Sequence, residues 1–193
     1  MNILIIGQCS LHWGRMEFGN IGNFYIMEPF MRQLHRVFPD ASIKTTMQMS
    51  ARFCKDENIS TLPVDIYYGW TGKDVEVAKN ELEIAKNYKS TGKLKSTTPF
   101  IDAVMQADLV IDFSGDIWGD NANFLGEDRL IVGLLKDRVA QLLGKKVVML
   151  AGSPGPFSDK ETLAFAKEGY FISSVFIIIF LIIFFYPLVL LFL

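Results

Sequence analysis

Two residue types are scarce enough to narrow the possibilities at once. The chain has only two cysteines, Cys9 and Cys54. That is too few for a disulfide framework, and they lack zinc-ligand spacing, so both read as ordinary thiols of a reducing compartment. It has only two histidines, His12 and His35, so its carboxylates have no histidine set to join in a metal centre, and no metal is expected. Positive charge is not in excess either. Lys and Arg number 19 against 21 Asp and Glu, a net charge of −2, so there is no basic stripe and no nucleic-acid partner is expected. A secretory signal is also missing, because Met1-Asn2 leads straight into Ile3-Leu4-Ile5-Ile6 with no basic stretch before it. Glycines are plentiful after this run, yet Gly7, Gly14, Gly19 and Gly22 do not fall in the G-x-G-x-x-G register, so a dinucleotide fingerprint is unsupported.

What is present is an alternation of short apolar strands with helices. The 193 residues suffice for one well-filled domain. Strands are predicted over 2–7, 42–47 and 146–151, with strand character also at 64–68. The stretch from Ala107 to Trp118, ADLVIDFSGDIW, reads as a buried strand opening into the acidic turn Ser114-Gly115-Asp116. Helices are predicted over 24–37, 74–88 and 127–143, with shorter ones from Pro99 and near Asp159. Asn23 is placed to cap the first, Pro29 is awkward inside it, and Gly144 suits the C′ position of the third. Leu130, Leu134, Val139 and Leu142 form the inward stripe of that third helix. Unbroken apolar strands of this kind are covered on both faces. The expected fold is therefore α/β, a doubly wound, mainly parallel sheet with helices on both faces. Right-handed crossovers would then bring three glycine-bearing loops to one edge of the sheet.

These loops carry a resemblance. Gly19-Asn20-Ile21-Gly22-Asn23 is similar to the N-x-G-D loop of polysaccharide pyruvyl transferases. The segment Asp108 to Asp116 resembles their strand ending in G-G-D. Gly144 to Leu150, followed by Ser153-Pro154-Gly155-Pro156-Phe157, resembles their G-K-P-V … S-x-G-P-F segment. Order and spacing agree over about residues 2–168. The resemblance implies the N-terminal domain of a two-domain, GT-B-like enzyme. Such enzymes transfer a pyruvyl group from phosphoenolpyruvate, a donor substrate rather than a cofactor, onto a sugar of a cell-surface polysaccharide as a ketal. It also implies that this domain shapes the acceptor side, and that arginine and histidine residues of a second domain hold the donor. The chain departs from the pattern at Asn23, at Ser114 and in lacking that second domain, so catalysis by these residues alone is not expected. The alternatives are a GT-B-type glycosyltransferase using a nucleotide sugar and a non-catalytic, membrane-anchored glycan-binding fragment.

Read for their own chemistry, the same loops supply polar groups. Asp116 can accept hydrogen bonds from sugar hydroxyls or act as a base, and is the catalytic candidate. Capping of the following turn is the competing reading, for Asp116 and for Asp120. Asn20, Gly22 and Asn23 can present amides and backbone N–H groups to an oxygen-rich ligand; for Asn23 helix capping is the favoured alternative. Ser114 and Gly115 line the same turn as Asp116. Ser153 and Gly155 sit at a third strand end between prolines, where a rigid turn permits close approach. His12, beside Trp13, is a candidate for stacking or proton transfer, and His35 reads as a surface residue.

From Phe171 to Leu193 there is no charged side chain in 23 positions. About 20 apolar residues span a bilayer, so 170–193 is expected to be a hydrophobic helix that anchors a cytoplasmic domain, 1–169, in the membrane. The second reading is a frameshift, since the switch at Tyr170 falls where the family pattern would continue and the tail uses the residue palette of a shifted, thymine-rich frame.

Overall fold

Strand β1 (Asn2–Ile6) alternates its side chains between two apolar layers, and the whole domain is laid out from it. Ile3 and Ile5 enter one buried cluster, Leu4 and Ile6 the other. Such a strand can be satisfied only if helices cover both faces of its sheet. The computed structural model describes residues 1–7, 21–113, 128–150, 155–170 and 175–177. In chain order, β1 is followed by α1 (Ile21–Val37), β2 (Ser42–Thr45), α2 (Ala51–Asp56), β3 (Ile59–Thr61) and a 3₁₀ turn at Val64–Ile66. Then come α3 (Asp74–Thr91), α4 (Pro99–Gln106), β4 (Leu109–Asp112), α5 (Asp128–Leu142), β5 (Lys146–Leu150), α6 (Lys160–Tyr170) and the short β6 (Val175–Ile177). Every strand pair is parallel, in the order β3-β2-β1-β4-β5-β6. This is the expected mainly parallel α/β sheet. The strand order runs outward from β1 through β2 to β3, then restarts at β4 on the other side of β1, the arrangement of doubly wound folds.

One face is packed by α1 and α2: Met27, Met31 and Leu34, with Phe53, cover Ile3, Ile5, Ile43 and Ile111. The other is packed by α3, α4 and α5, whose Ala78, Leu82, Phe100, Val104, Val132 and Val139 cover Leu4, Ile6, Val110 and Val147. Each fully buried aliphatic side chain contributes about 1.5–3 kcal/mol. Leu130 and Leu134 of α5 join Met149 of β5 and Ala166 of α6 in a smaller cluster that ties the end of the sheet to the last helix.

Local chemistry sets the helix ends. Ser50 Oγ accepts from Phe53 N at 3.0 Å and Thr98 Oγ1 from Ile101 N at 3.2 Å, so both are N-caps, the second followed by proline. Asp159 does the same for Thr162 N, at 2.7 Å. Helix α5 stops in a Schellman motif: Lys145 N donates to Ala140 O, Gly144 N to Gln141 O, and Gly144 takes φ +81°. Gly144 is thus at C′, as its sequence position indicated.

Four local expectations change. Helix α1 starts at Ile21, so Asn23 lies inside its first turn and does not cap it. The helix also runs through Pro29, because burial of Met27, Met31 and Leu34 on either side outweighs the bond that proline cannot make. Residues 64–68 are not a strand: Tyr67 N and Tyr68 N both donate to Val64 O, making a tight turn. The strand of this region is Ile59–Thr61, preceded by the six-residue helix α2. Finally, Val175–Ile177, within the apolar tail, pairs with Val148–Leu150 as a parallel strand. Among the described residues, no helix is long and apolar enough to cross a membrane.

Candidate functional site

Parallel neighbours end together, so the order β1-β4-β5 places three consecutive strand ends side by side. In register, Ile6 pairs with Asp112 and Asp112 with Met149. Between β1 and β4 the winding reverses, and a crevice at this carboxyl edge is where doubly wound sheets bind ligands. The three segments singled out in the sequence follow these three strands: 19–23 after β1, 114–116 after β4 and 153–157 after β5.

The placement of individual candidates is uneven. Asn20, Ser114, Gly115, Asp116 and Ser153 lie outside the described residues, as do His12 and Asp120. Gly22 and Asn23 are in the first turn of α1, the helix that leaves the β1 edge. Gly155 has φ +92° and is followed by a cis peptide bond to Pro156. A side chain at that φ would be strained, which gives a backbone reason for glycine at this turn. His35 Nε2 lies 2.8 Å from Glu57 O on the α1 side of the sheet, away from the crevice.

Asp112, the last residue of β4, is wholly buried and directed at α5, where it meets the equally buried Asp137. Burial first, then the charge of Asp112 and a hydrogen bond to it, push the Asp137 carboxyl well above the usual range. Burial and their mutual repulsion therefore favour a shared proton on the two carboxyls over ionisation of both. The pair braces the strand end that leads into Ser114-Gly115-Asp116.

Two further groups on α5 escape a reading based on its apolar stripe. Lys136, 1% exposed, places Nζ 2.6 Å from Glu81 Oε2 of α3, 2.9 Å from Ile66 O and 4.1 Å from the Phe100 ring centroid. Thr98 Oγ1 donates to the other oxygen of Glu81 at 2.7 Å, so the N-cap of α4 also supports the ion pair. Burial lowers the proton affinity of Lys136, and Glu81 opposes that. In the first turn of α5, Arg129 is 1% exposed and packs its guanidinium 5.5 Å from the Tyr68 ring centroid and 5.3 Å from that of Trp70. Burial lowers the Arg129 pKa, with Tyr68 acting against it. The Tyr68 phenol is shifted up, by burial and by Asp74, while Arg129 pulls it down. Tyr68 and Trp70 meet edge to face at 5.0 Å.

Arg129 is the second residue of α5, and Asp74 the first of α3. Both helices run back from the carboxyl edge, so this aromatic and cationic group sits at the same edge as the crevice. In sequence the signal was available but faint: Arg129, Lys136 and Asp137 are seven and eight residues apart, one face of a helix whose apolar stripe drew the attention. Among the described residues no set of His, Cys, Asp and Glu is gathered to hold a metal ion. Chemically, the described part of the edge offers aromatic faces, a buried guanidinium and a rigid strand end. It suits binding and orientation of a polar ligand. Comparison with protein-family models, with curated proteins and with solved structures returns no match to this chain.

Proposed function

We propose that this domain is the acceptor-sugar half of a polysaccharide pyruvyl transferase-like enzyme. The observation that supports the reading is the adjacency of β1, β4 and β5, because each family-like loop follows one of three strands that end side by side. In this reading Asp116 accepts hydrogen bonds from the acceptor and serves as its base. Asn20, Asn23, Ser114 and Ser153 complete the polar lining, and the Gly22, Gly115 and Gly155 backbones allow close approach. Phosphoenolpyruvate is held by a second, GT-B-like domain, so the 193 residues alone bind sugar and do not make a ketal.

The test is sugar binding by the purified chain, with and without Asp116→Ala, alongside an assay for ketal formation from phosphoenolpyruvate. Binding that the substitution abolishes, with no turnover, is the expected result. Turnover by the chain alone, or binding indifferent to Asp116, would overturn it. A nucleotide-sugar glycosyltransferase is separated by comparing donors on the full-length parent.

For the tail, pairing in β6 and insertion of one helix from Phe171 exclude each other, since a helix would release Val175–Ile177 from β5. Flotation of the chain with lipid vesicles favours a membrane anchor on a cytoplasmic domain. A reading frame downstream of the Tyr170 codon that restores the family pattern favours the frameshift.

A further inference from the structure

We propose that Trp70 is a stacking platform for a pyranose ring at the carboxyl edge of the sheet, an inference that rests on the sugar-binding reading above and adds the residue that reads the ring. Trp70 belongs to the run Tyr67-Tyr68-Gly69-Trp70, which follows the edge strand β3 and turns back toward the centre. The backbone carbonyl just before it, Ile66 O, meets Lys136 of α5, and the Tyr67 ring lies 6.3 Å from that of Phe100. Beyond these contacts the Tyr68 and Trp70 rings meet Arg129, so the run brings them to the first turn of α5.

Trp70 has φ +53°, a left-handed conformation in which a bulky side chain is an outlier. Such conformations persist only where the surroundings over-determine them, and they cluster at ligand sites. Here the fixing group is one carboxylate. Asp74 accepts from Gly69 N at 2.5 Å and from Thr71 N at 2.9 Å, the amides on either side of Trp70, and from Thr71 Oγ1 at 3.3 Å. The side chain is held as firmly as the backbone, by the Tyr68 ring and by the Arg129 guanidinium 5.3 Å from its centroid. Nevertheless, Trp70 is only half-buried. A tryptophan serving the core alone gains nothing from a conformation that leaves part of it in water. A rigid indole at a ligand edge, braced from within by a cation, suits a ligand with one apolar face and polar rims. A pyranose has that form: its C–H face packs on the ring and its hydroxyls point sideways to hydrogen-bonding groups.

The experiment uses the full chain in mild detergent, labelled with fluorotryptophan, with the Trp70 resonance identified as the one missing from Trp70→Phe. Methyl glycosides of glucose, galactose, mannose and glucuronic acid are the probes, and sorbitol is the open-chain control. The expected result is a saturable shift of the Trp70 resonance with at least one glycoside and none with sorbitol. Binding should weaken about tenfold in Trp70→Ala and by less than about threefold in Trp70→Phe, which keeps an aromatic face. The resonance in the unmutated chain decides the matter even if Trp70→Ala fails to fold. A glycoside that binds by ligand-observed saturation transfer while the Trp70 resonance stays still would sink the platform and leave the sugar-binding function standing. Absence of binding by every glycoside in both measurements would refute the function and this inference together.

Discussion

Replacing Glu81 by Gln probes the most constrained interaction in the domain. Its carboxylate lies 2.6 Å from Lys136 Nζ, and both side chains are 1% exposed. The substitution keeps size and shape, leaves Thr98 a partner and removes only the charge. Lys136 is then a buried ammonium with one carbonyl, Ile66 O, and the face of Phe100 for company. Breaking a buried pair from one side costs about 3–5 kcal/mol, because the remaining charge is uncompensated. For a chain of this size that corresponds to a fall in Tm of about 6–20 °C. Lys136→Met exposes the complementary orphan, Glu81, and should cost a similar amount. The double variant Glu81→Leu with Lys136→Met removes both charges and places apolar groups among Phe100 and Leu82. It should recover most of the loss, since well-packed hydrophobic replacements of buried pairs are often neutral or better. The assay is equilibrium denaturation of these proteins together with Glu81→Leu alone, which closes a double-mutant cycle with Lys136→Met and the double variant. Additive losses in the double variant would refute the reasoning, showing that the charges do not meet in the folded protein.

Two other predictions concern stability. Asp137 is raised above its ordinary 3.8 in the folded state, so its contribution to stability is complete below that value and lost as pH rises through the raised one. The charged group that bears on it is Asp112 from β4. Asp137→Asn can offer an N–H to Asp112 without a titratable proton, so its stability should fall less with rising pH than that of the parent. Parallel denaturation profiles from pH 4 to pH 8 would show that Asp137 does not titrate with folding. Gly144→Ala places a Cβ at φ +81° and should cost about 1 kcal/mol, through the left-handed conformation rather than a clash. A thermal shift under about 1 °C would place the end of α5 elsewhere.

The elements readable from the sequence were those whose burial pattern is local. β1, β4 and β5 are continuous apolar runs, and α3 and α5 are long enough to show their period. Ile59–Thr61 was missed because a three-residue edge strand has one buried side chain, Ile59, and no pattern to display. Helix α2 is too short for periodicity, and its cap, Ser50, is the better signal. Val64 to Tyr68 looked like a strand by composition, yet tertiary packing of Tyr67 on Phe100 favours the tight turn. In the site, the strand ends could be placed in advance, because glycines and small residues punctuate them. The Asp112–Asp137 pair and the Trp70 loop could not, since each joins elements far apart in the chain.

The sequence by itself determined an alternating α/β chain, the buried strand leading into Ser114-Gly115-Asp116, the stop at Gly144 and an uncharged apolar stretch after Tyr170. Each follows from properties of neighbouring residues: hydrophobic period, backbone freedom, charge. Only the tertiary structure decided that β1, β4 and β5 lie side by side, that Val175–Ile177 completes the sheet, and that Lys136, Asp137 and Arg129 face inward. Strand order and the partner of a buried charge depend on which distant segments meet, and burial is stable only when that partner arrives.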